Sequence, residues 1–416
     1  MKLSEELQWR GMVAQNTFGG VAELDERRHK FYLGADPSAA SLTIGNLASL
    51  MLVSCLARHG YEPTLLIGGA TGQIGDPKDT GERDLKSLEE IAKNKKAIVE
   101  QFRSVVSRAA DLEKIDVVDN YDWFRDINFI DFLRNIGKHF SMTQLLDREF
   151  VKARIGEGAS GISFAEFSYS LIQGYDFLHL FREKGIDLQV CGADQFGNCA
   201  SGMHLIKKLD GKRADVWSIP LVIDPVSGKK FGKSEGNAIW LSPKLTTVFD
   251  FYQFWLNQSD EAVLGLMKTY TRLMPEGVDA IMGAHNSDRS MRIAQKSLAF
   301  GVTAVVHGAE LAGVAIEATK KLFDGDGAVS DFSKISDADL KEFGRVLPSI
   351  SLASRAEGLS LAEALVSAGL VASKGEVRRL ITSGAVSVNG VKVADSSEMA
   401  VTGVVKVGKN KFLVVR

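Results

Sequence analysis

Cysteine is scarce in this chain. Cys55, Cys191 and Cys199 are the three it has, and no two of them form a CxxC pair. That argues against a disulfide framework and against a zinc site of closely spaced thiolates, and it fits a reducing compartment with the thiols buried as structural groups. Long apolar runs are missing as well: none reaches bilayer-spanning length, and the opening MKLSEELQWRG has no apolar signal core. A cytoplasmic protein with no membrane association is expected. There is no internal repeat and no low-complexity tract. Two common phosphate motifs are absent too. The glycine-rich GGATGQIGDP (Gly68–Pro77) lacks the Gly-Lys-Ser/Thr ending of a Walker loop, and its glycines are not spaced as GxGxxG. It reads as a flexible loop that delivers Asp76.

What is present is a chain of 416 residues, too long for one ordinary core, so two or three domains are expected. The formal net charge of -2 hides an asymmetry. Residues 351–416 carry nine Lys and Arg against five Asp and Glu, or +4, which leaves about -6 on the remainder. A basic terminal module on an acidic body suggests a polyanionic partner. Short apolar runs at Phe31–Leu33, Thr64–Gly68, Asp116–Asp119, Leu188–Cys191 and Ile219–Ile223 read as strands. They alternate with helical periodicity around Asn46–His59, Ser87–Ala110, Phe129–Lys138, Ala165–Phe181 and Gln195–Lys208. This is an α/β pattern: a Rossmann-like parallel sheet covered by helices, with ligands expected beyond the carboxyl ends of the strands.

The expected boundaries are a sheet domain over 1–223 and a mobile loop and linker over 224–245. An all-helical domain over 246–325, a linker over 326–349 and a small α+β module over 350–416 follow. In the last, two short helices precede a hairpin with Asn389-Gly390 at its turn. Lys374 and Arg378 are spaced to share a helix face, with Arg379 beside them.

Two stretches suit polyphosphate. In FYLGADPSAASLTIGNLASL (Phe31–Leu50), a strand breaks at Gly34 and Asp36-Pro37, and Gly45 turns into a helix whose free N–H groups attract anions. In GKKFGKSEGNAIWL (Gly228–Leu241), Lys229, Lys230, Lys233 and Ser234 form a glycine-flanked cationic loop that can follow charge developing on a phosphate. Either alone could be an ordinary surface turn; together on a parallel sheet they indicate a nucleotide site.

With ELQWRG, IGKHFS, ISFAEFSYSLIQGYDFL, GADQFGN, FYQFW and VHG, these stretches fall in the order and spacing of one family. The chain resembles the bacterial-type tyrosyl-tRNA synthetases, class I aminoacyl-tRNA synthetases, over nearly its whole length. Its last segment resembles the RNA-binding module shared with a small-subunit ribosomal protein. The resemblance implies activation of L-tyrosine by ATP with magnesium, release of pyrophosphate, and transfer of the tyrosyl group to tRNA(Tyr) by a homodimer. It implies that Tyr32 and Asp176 bond the substrate phenol, that Asp76, Tyr169 and Gln173 hold its ammonium, and that Gln195, supported by Asp36, meets its carboxylate. Gly192 and Asp194 would meet the ATP ribose and Gly45 would admit the adenine. Lys230, Lys233 and Ser234 would grip the departing pyrophosphate, and the terminal Lys374, Arg378 and Arg379 would hold RNA.

One signature departs from the pattern. The family's usual His-Ile-Gly-His is Thr43-Ile44-Gly45-Asn46 here. The Asn46 amide can stand in for one imidazole donor, Thr43 is shorter and uncharged, and Ser38 keeps a nearby hydroxyl. The expectation is a working synthetase with a remodelled phosphate site. The alternatives are an RNA-binding regulatory paralogue and an enzyme that adenylates a tyrosine-like amino acid.

Overall fold

Five short strands of apolar and β-branched residues build a parallel sheet: β1 (Lys30–Ala35), β2 (Glu62–Ile67), β3 (Asp116–Asp119), β4 (Leu188–Gly192) and β5 (Asp215–Ile219). Their order is β3-β2-β1-β4-β5, every neighbour parallel. In this computed structural model the residues described are 1–77, 85–146, 149–155, 161–223, 228, 231, 233–234, 237–323, 335–352, 359–395 and 397–416. They form two compact units, Met1–Leu241 with Glu261–Ala280, and Ser242–Asp260 with Ile281–Arg416.

In the first unit each step between sheet strands includes a crossover helix. Ile44–Arg58 and Leu88–Ala110 pack on each other, as do Phe164–Lys184 and Phe196–Asp210. Right-handed crossovers running outward from β1 in both directions put the two pairs on opposite faces. Local chemistry sets the helix ends. Ser163 accepts from the Glu166 N–H (3.2 Å) while Glu166 accepts from the Ser163 N–H (3.3 Å). The Arg154 guanidinium clamps the same buried carboxylate at 2.6 and 2.9 Å. Gly185, at φ 67°, stops the helix.

The fifth strand lies earlier than the apolar run Ile219–Ile223 suggests. Pro220 cannot donate to a ladder, and the strand is the fully buried Asp215–Ile219. Asp215 is tolerated there because Thr17 (2.9 Å) and Arg213 (3.1 Å) donate to it. A small hairpin follows, β6 (Lys233–Ser234) against β7 (Asn237–Ala238). Part of the stretch expected to be a separate helical domain, Glu261–Ala280, belongs with the sheet. The buried Arg10 donates to the carbonyls of Lys268 (2.7 Å), Thr271 (3.0 Å) and Leu273 (3.1 Å), and the Tyr270 hydroxyl donates to that of Ile44 (3.2 Å).

In the second unit, helices Val248–Leu256, Ile293–His307 and Ala309–Leu322 pack together. Within the expected linker 326–349, Asp337–Phe343 is a helix with Leu340 and Phe343 buried. The terminal sheet runs β10-β9-β11-β12-β8, built from β8 (Ser349–Ile350), β9 (Val386–Val388), β10 (Val391–Lys392), β11 (Gly403–Val407) and β12 (Lys411–Val415). Two short helices, Leu361–Ser367 and Lys374–Thr382, precede β9. The expected hairpin is present, with Asn389 at φ 49° and Gly390 at φ 84°. Among the described residues no helix is long and apolar enough to cross a membrane.

Candidate active site

β2 lies on one side of β1 and β4 on the other, so the chain direction across the sheet reverses between β1 and β4. At such a point the strand ends part and leave a crevice. A cavity of about 540 Å³ opens there. It is lined by Tyr32, Asp36, Ser38, Thr43, Gly45, Asn46, Asp76, Tyr169, Gln173, Asp176, Gly192, Asp194 and Gln195. Residues 163 positions apart in the chain thus meet in one cleft.

The floor is polar and almost dry. Tyr32, from β1, is 0 % exposed, and its hydroxyl has no hydrogen-bond partner. Asp176, 1 % exposed, comes from helix Phe164–Lys184 and accepts from Asn120 Nδ2 (3.1 Å) and Trp123 Nε1 (3.0 Å). Burial pushes the Asp176 carboxyl well above the usual carboxylate range; the two donors pull it back and the charges of Asp36 and Asp119 push it further up. Burial likewise raises the Tyr32 phenol, with Cys199 and Asp176 adding to it. A buried hydroxyl without a partner is costly, so this floor is built to receive a group that both donates and accepts.

The network extends toward the rim. Asn120 also donates to Thr71 Oγ1 (3.2 Å), and Thr71 donates to Asp36 Oδ1 (2.7 Å). The other Asp36 oxygen accepts from the Tyr169 hydroxyl (2.9 Å). Burial first, then Asp36 and Asp76, raise the Tyr169 phenol, which stays a neutral donor. Gln195 Nε2 donates to Asp76 Oδ2 (2.8 Å), and its oxygen accepts from Asn198 (3.1 Å). Gln173 points its amide nitrogen at Cys199 Sγ (3.6 Å) and leaves its buried oxygen unpartnered. Two carboxylates and an open amide oxygen form a wall suited to an ammonium group.

The glycine-rich stretch is tighter than a flexible loop. A Cβ on Gly68 would lie 2.0 Å from Asp36 Oδ1 and 2.3 Å from Thr71 Oγ1, and one on Gly69 would lie 2.1 Å from Asp119 Oδ1. Thr71–Ile74 is a helical turn, and it sets Asp76 at the cavity wall. These glycines let the backbone approach side chains that arrange the site.

At the other end, Thr43 precedes helix Ile44–Arg58. Its N–H and its hydroxyl both donate to Asn46 Oδ1, each at 3.0 Å. The Asn46 oxygen is thereby taken, and its Nδ2 is the remaining polar atom, a donor. The backbone after β7 is stitched to this turn: Ile44 N–H donates to Ile239 (3.1 Å) and Leu241 N–H to Leu42 (2.8 Å). Lys233 and Ser234 sit on β6, in the hairpin leading into that seam. Lys230 lies outside the described residues. Gly192 ends β4 against Asp194, with 2.8 Å from its would-be Cβ to Asp194 Oδ1.

Sequence reasoning missed several lining or supporting groups. Asn120 and Trp123 follow β3 and act through Asp176. Gln189 is paired in register with Tyr32 and leaves a buried amide oxygen unpartnered. Lys86 and Trp240 line the rim. The polar Asp119-Asn120 at a strand end was the one available signal; the others depend on tertiary register. In the terminal module Arg378 and Arg379 are exposed on helix Lys374–Thr382, while Lys374 pairs with Glu363 (2.9 Å).

A family model described as tRNA synthetases class I (W and Y) matches residues 24–324, and one described as the tyrosine–tRNA ligase SYY-like C-terminal domain matches 339–416. The chain is 39% identical over 408 residues to the tyrosine–tRNA ligase of Bacteroides fragilis, covering 97% of this chain and 94% of that one. It is 38% identical over 400 residues to tyrosine–tRNA ligase 2 of Bacillus cereus, covering 95% and 93%. A C-terminally truncated mitochondrial tyrosyl-tRNA synthetase of Aspergillus nidulans superposes with TM-score 0.69 at 27% identity, over 77% of this chain and 94% of that one.

Proposed function

Because the chain belongs to the family of class I tRNA synthetases (W and Y), we propose that it is a tyrosine–tRNA ligase. It activates L-tyrosine with ATP to tyrosyl-adenylate and pyrophosphate, then esterifies the 3′ end of tRNA(Tyr). The observation that carries this reading is the unpartnered Tyr32 hydroxyl in the same buried floor as the Asp176 carboxyl. A phenol satisfies both at once; an indole or a phenyl ring does not.

The amino-acid carboxylate is already a nucleophile, so no protein base or covalent intermediate is needed. Positioning does the work. In our reading Tyr32 and Asp176 fix the ring, and Asp76, Tyr169 and Gln173 hold the ammonium. Gln195 orients the carboxylate toward the α-phosphate, and Asp36 supports that region by holding Tyr169 and Thr71. Gly45 leaves room for adenine, while Gly192 and Asp194 take the ribose. Charge then moves onto pyrophosphate, where Asn46 Nδ2, Ser38, Lys230, Lys233 and Ser234 are assigned as donors, and Thr43 acts by holding the Asn46 oxygen so that its Nδ2 is the group left to donate. ATP enters as its magnesium complex. The seam between the Thr43 turn and the segment after β7 supports placing both phosphate elements at one end of the cavity.

We assign the helices Val248–Leu256, Ile293–His307 and Ala309–Leu322 of the second unit to the anticodon side and the terminal module, through Lys374, Arg378 and Arg379, to the tRNA backbone. The exposed apolar side chains of Phe129, Ile130, Leu133, Met142 and Phe164 support a homodimer. A cytoplasmic location follows from the tRNA partner. The test is charging of a tRNA(Tyr) transcript with radiolabelled tyrosine: acid-stable esterification that depends on ATP is expected. RNA binding without charging would overturn the reading in favour of a regulatory paralogue.

A further inference from the structure

Two of the three cysteines meet where the proposed tyrosine ring would lie. Cys191, next to last in β4, and Cys199, in the first turn of helix Phe196–Asp210, both line the cavity, 5 % and 1 % exposed. Both belong to the packed cluster around Tyr32 and Phe177, whose rings meet edge to face at 5.4 Å. The two thiols are neighbours within this cluster. Cys199 Sγ also accepts from Gln173 Nε2, one of the groups assigned above to the ammonium. The mechanism uses neither thiol. Cys55 is a different case: it is buried beside Glu6, away from the cavity lining.

We propose that Cys191 and Cys199 form a dithiol site for trivalent arsenicals of the aryl type, with the aryl ring in the slot built for the substrate ring, and that its occupancy excludes tyrosine. The reaction balances without an oxidant. In hydrated form an arylarsine oxide carries two hydroxyls on arsenic. Each thiol forms one As–S bond as one As–O bond breaks, the two thiol protons leave with the hydroxyls as two waters, and arsenic stays trivalent. Two thiols in one packed cluster at the cavity wall can both reach one arsenic, and closing the ring is why a dithiol holds arsenic where a single thiol releases it. Burial and the neighbouring Cys191 raise the Cys199 thiol well above its usual range, so onset is slow.

The exclusion of tyrosine rests on the proposed function; the dithiol site does not. The experiment incubates the full chain with phenylarsine oxide and reads intact mass, with tyrosine binding to untreated protein measured separately by calorimetry. One adduct per chain is expected, stable to excess 2-mercaptoethanol and removed by 2,3-dimercaptopropanol. It is expected to be lost in both Cys191→Ala and Cys191→Ser, and in Cys199→Ala, and kept in Cys55→Ala. Tyrosine at about 100 times its Kd leaves about 1 % of sites free and slows adduct formation about 100-fold. No adduct in protein that binds tyrosine, or an adduct that persists without Cys191, overturns the dithiol site. An adduct whose rate ignores bound tyrosine overturns the exclusion. An adduct in protein that binds no tyrosine leaves the dithiol standing and overturns the functional reading instead.

Discussion

Replacing Tyr32 with phenylalanine should make the protein more stable and a worse enzyme, and the two effects come from one atom. The Tyr32 hydroxyl is buried without a partner. An unsatisfied buried polar group costs about 1–3 kcal/mol, so removing it relieves part of that cost. A gain of about 1 kcal/mol corresponds to about 2–4 °C in Tm for a unit of this size. In the substrate complex the same hydroxyl is assigned a neutral hydrogen bond to the phenol, with a net contribution of about 0.5–1.5 kcal/mol. Its loss lowers kcat/KM for tyrosine about 2- to 13-fold. Phenylalanine makes no such bond, so its kcat/KM should not fall, and selectivity should drop by the same factor. Calorimetric melting and pyrophosphate exchange with both amino acids check this. A Tm several degrees lower with unchanged tyrosine kinetics would refute it, because the hydroxyl would then be holding the fold rather than waiting for substrate.

The remaining predictions concern other levels of the structure. Thr43→His should raise the single-turnover rate of adenylate formation, by up to about 100-fold if it restores one full transition-state donor; an equal or lower rate would count against the remodelled-site account. Gly68→Ala puts a Cβ into Asp36 and Thr71. It should cost about 1–3 kcal/mol of stability and raise KM for tyrosine, which thermal melts and steady-state kinetics would show. Burial raises the Glu6 carboxyl, but the hydrogen bonds from His59 and Arg10 and the charges of Arg10 and Arg58 win and bring it from 4.5 to about 2. A depressed carboxylate stabilises above its unfolded pKa, so about 3 kcal/mol should be lost as pH falls from about 4.5 through about 2. In Glu6→Gln that acid-side loss should vanish from urea titrations. Arg378→Ala and Arg379→Ala should each weaken tRNA binding and reduce its salt slope by about one, with tyrosine-dependent pyrophosphate exchange unchanged.

The strand-helix alternation was legible because hydrophobic period and turn residues are local, and β1 to β4 stand close to where they were expected. β5 was misplaced because its buried charge, Asp215, is paired with Arg213 and hydrogen-bonded by Thr17, about two hundred residues away. The residues that meet in the cavity could be picked out through motif resemblance, and Tyr169, Gln173 and Asp176 share one helix stripe by spacing alone. Asn120 was legible only as a polar residue at a strand end, and Trp123 and Gln189 were not legible, since their roles depend on which strand ends and registers meet. The glycines of Gly68–Pro77 were misread as mobility. Their purpose is close approach, and only the neighbouring Asp36, Thr71 and Asp119 side chains reveal it. The attachment of Glu261–Ala280 to the sheet runs through side-chain bonds of Arg10, Tyr270 and Arg272 that leave no periodic signal.

The most direct test of the central claim is ATP–pyrophosphate exchange by the purified protein with magnesium and a panel of amino acids. Exchange driven by tyrosine, and not by phenylalanine or tryptophan, is the predicted result. It would show that Thr43-Ile44-Gly45-Asn46 serves a working site. No exchange with any amino acid, in protein that still binds tyrosine and tRNA, would contradict it.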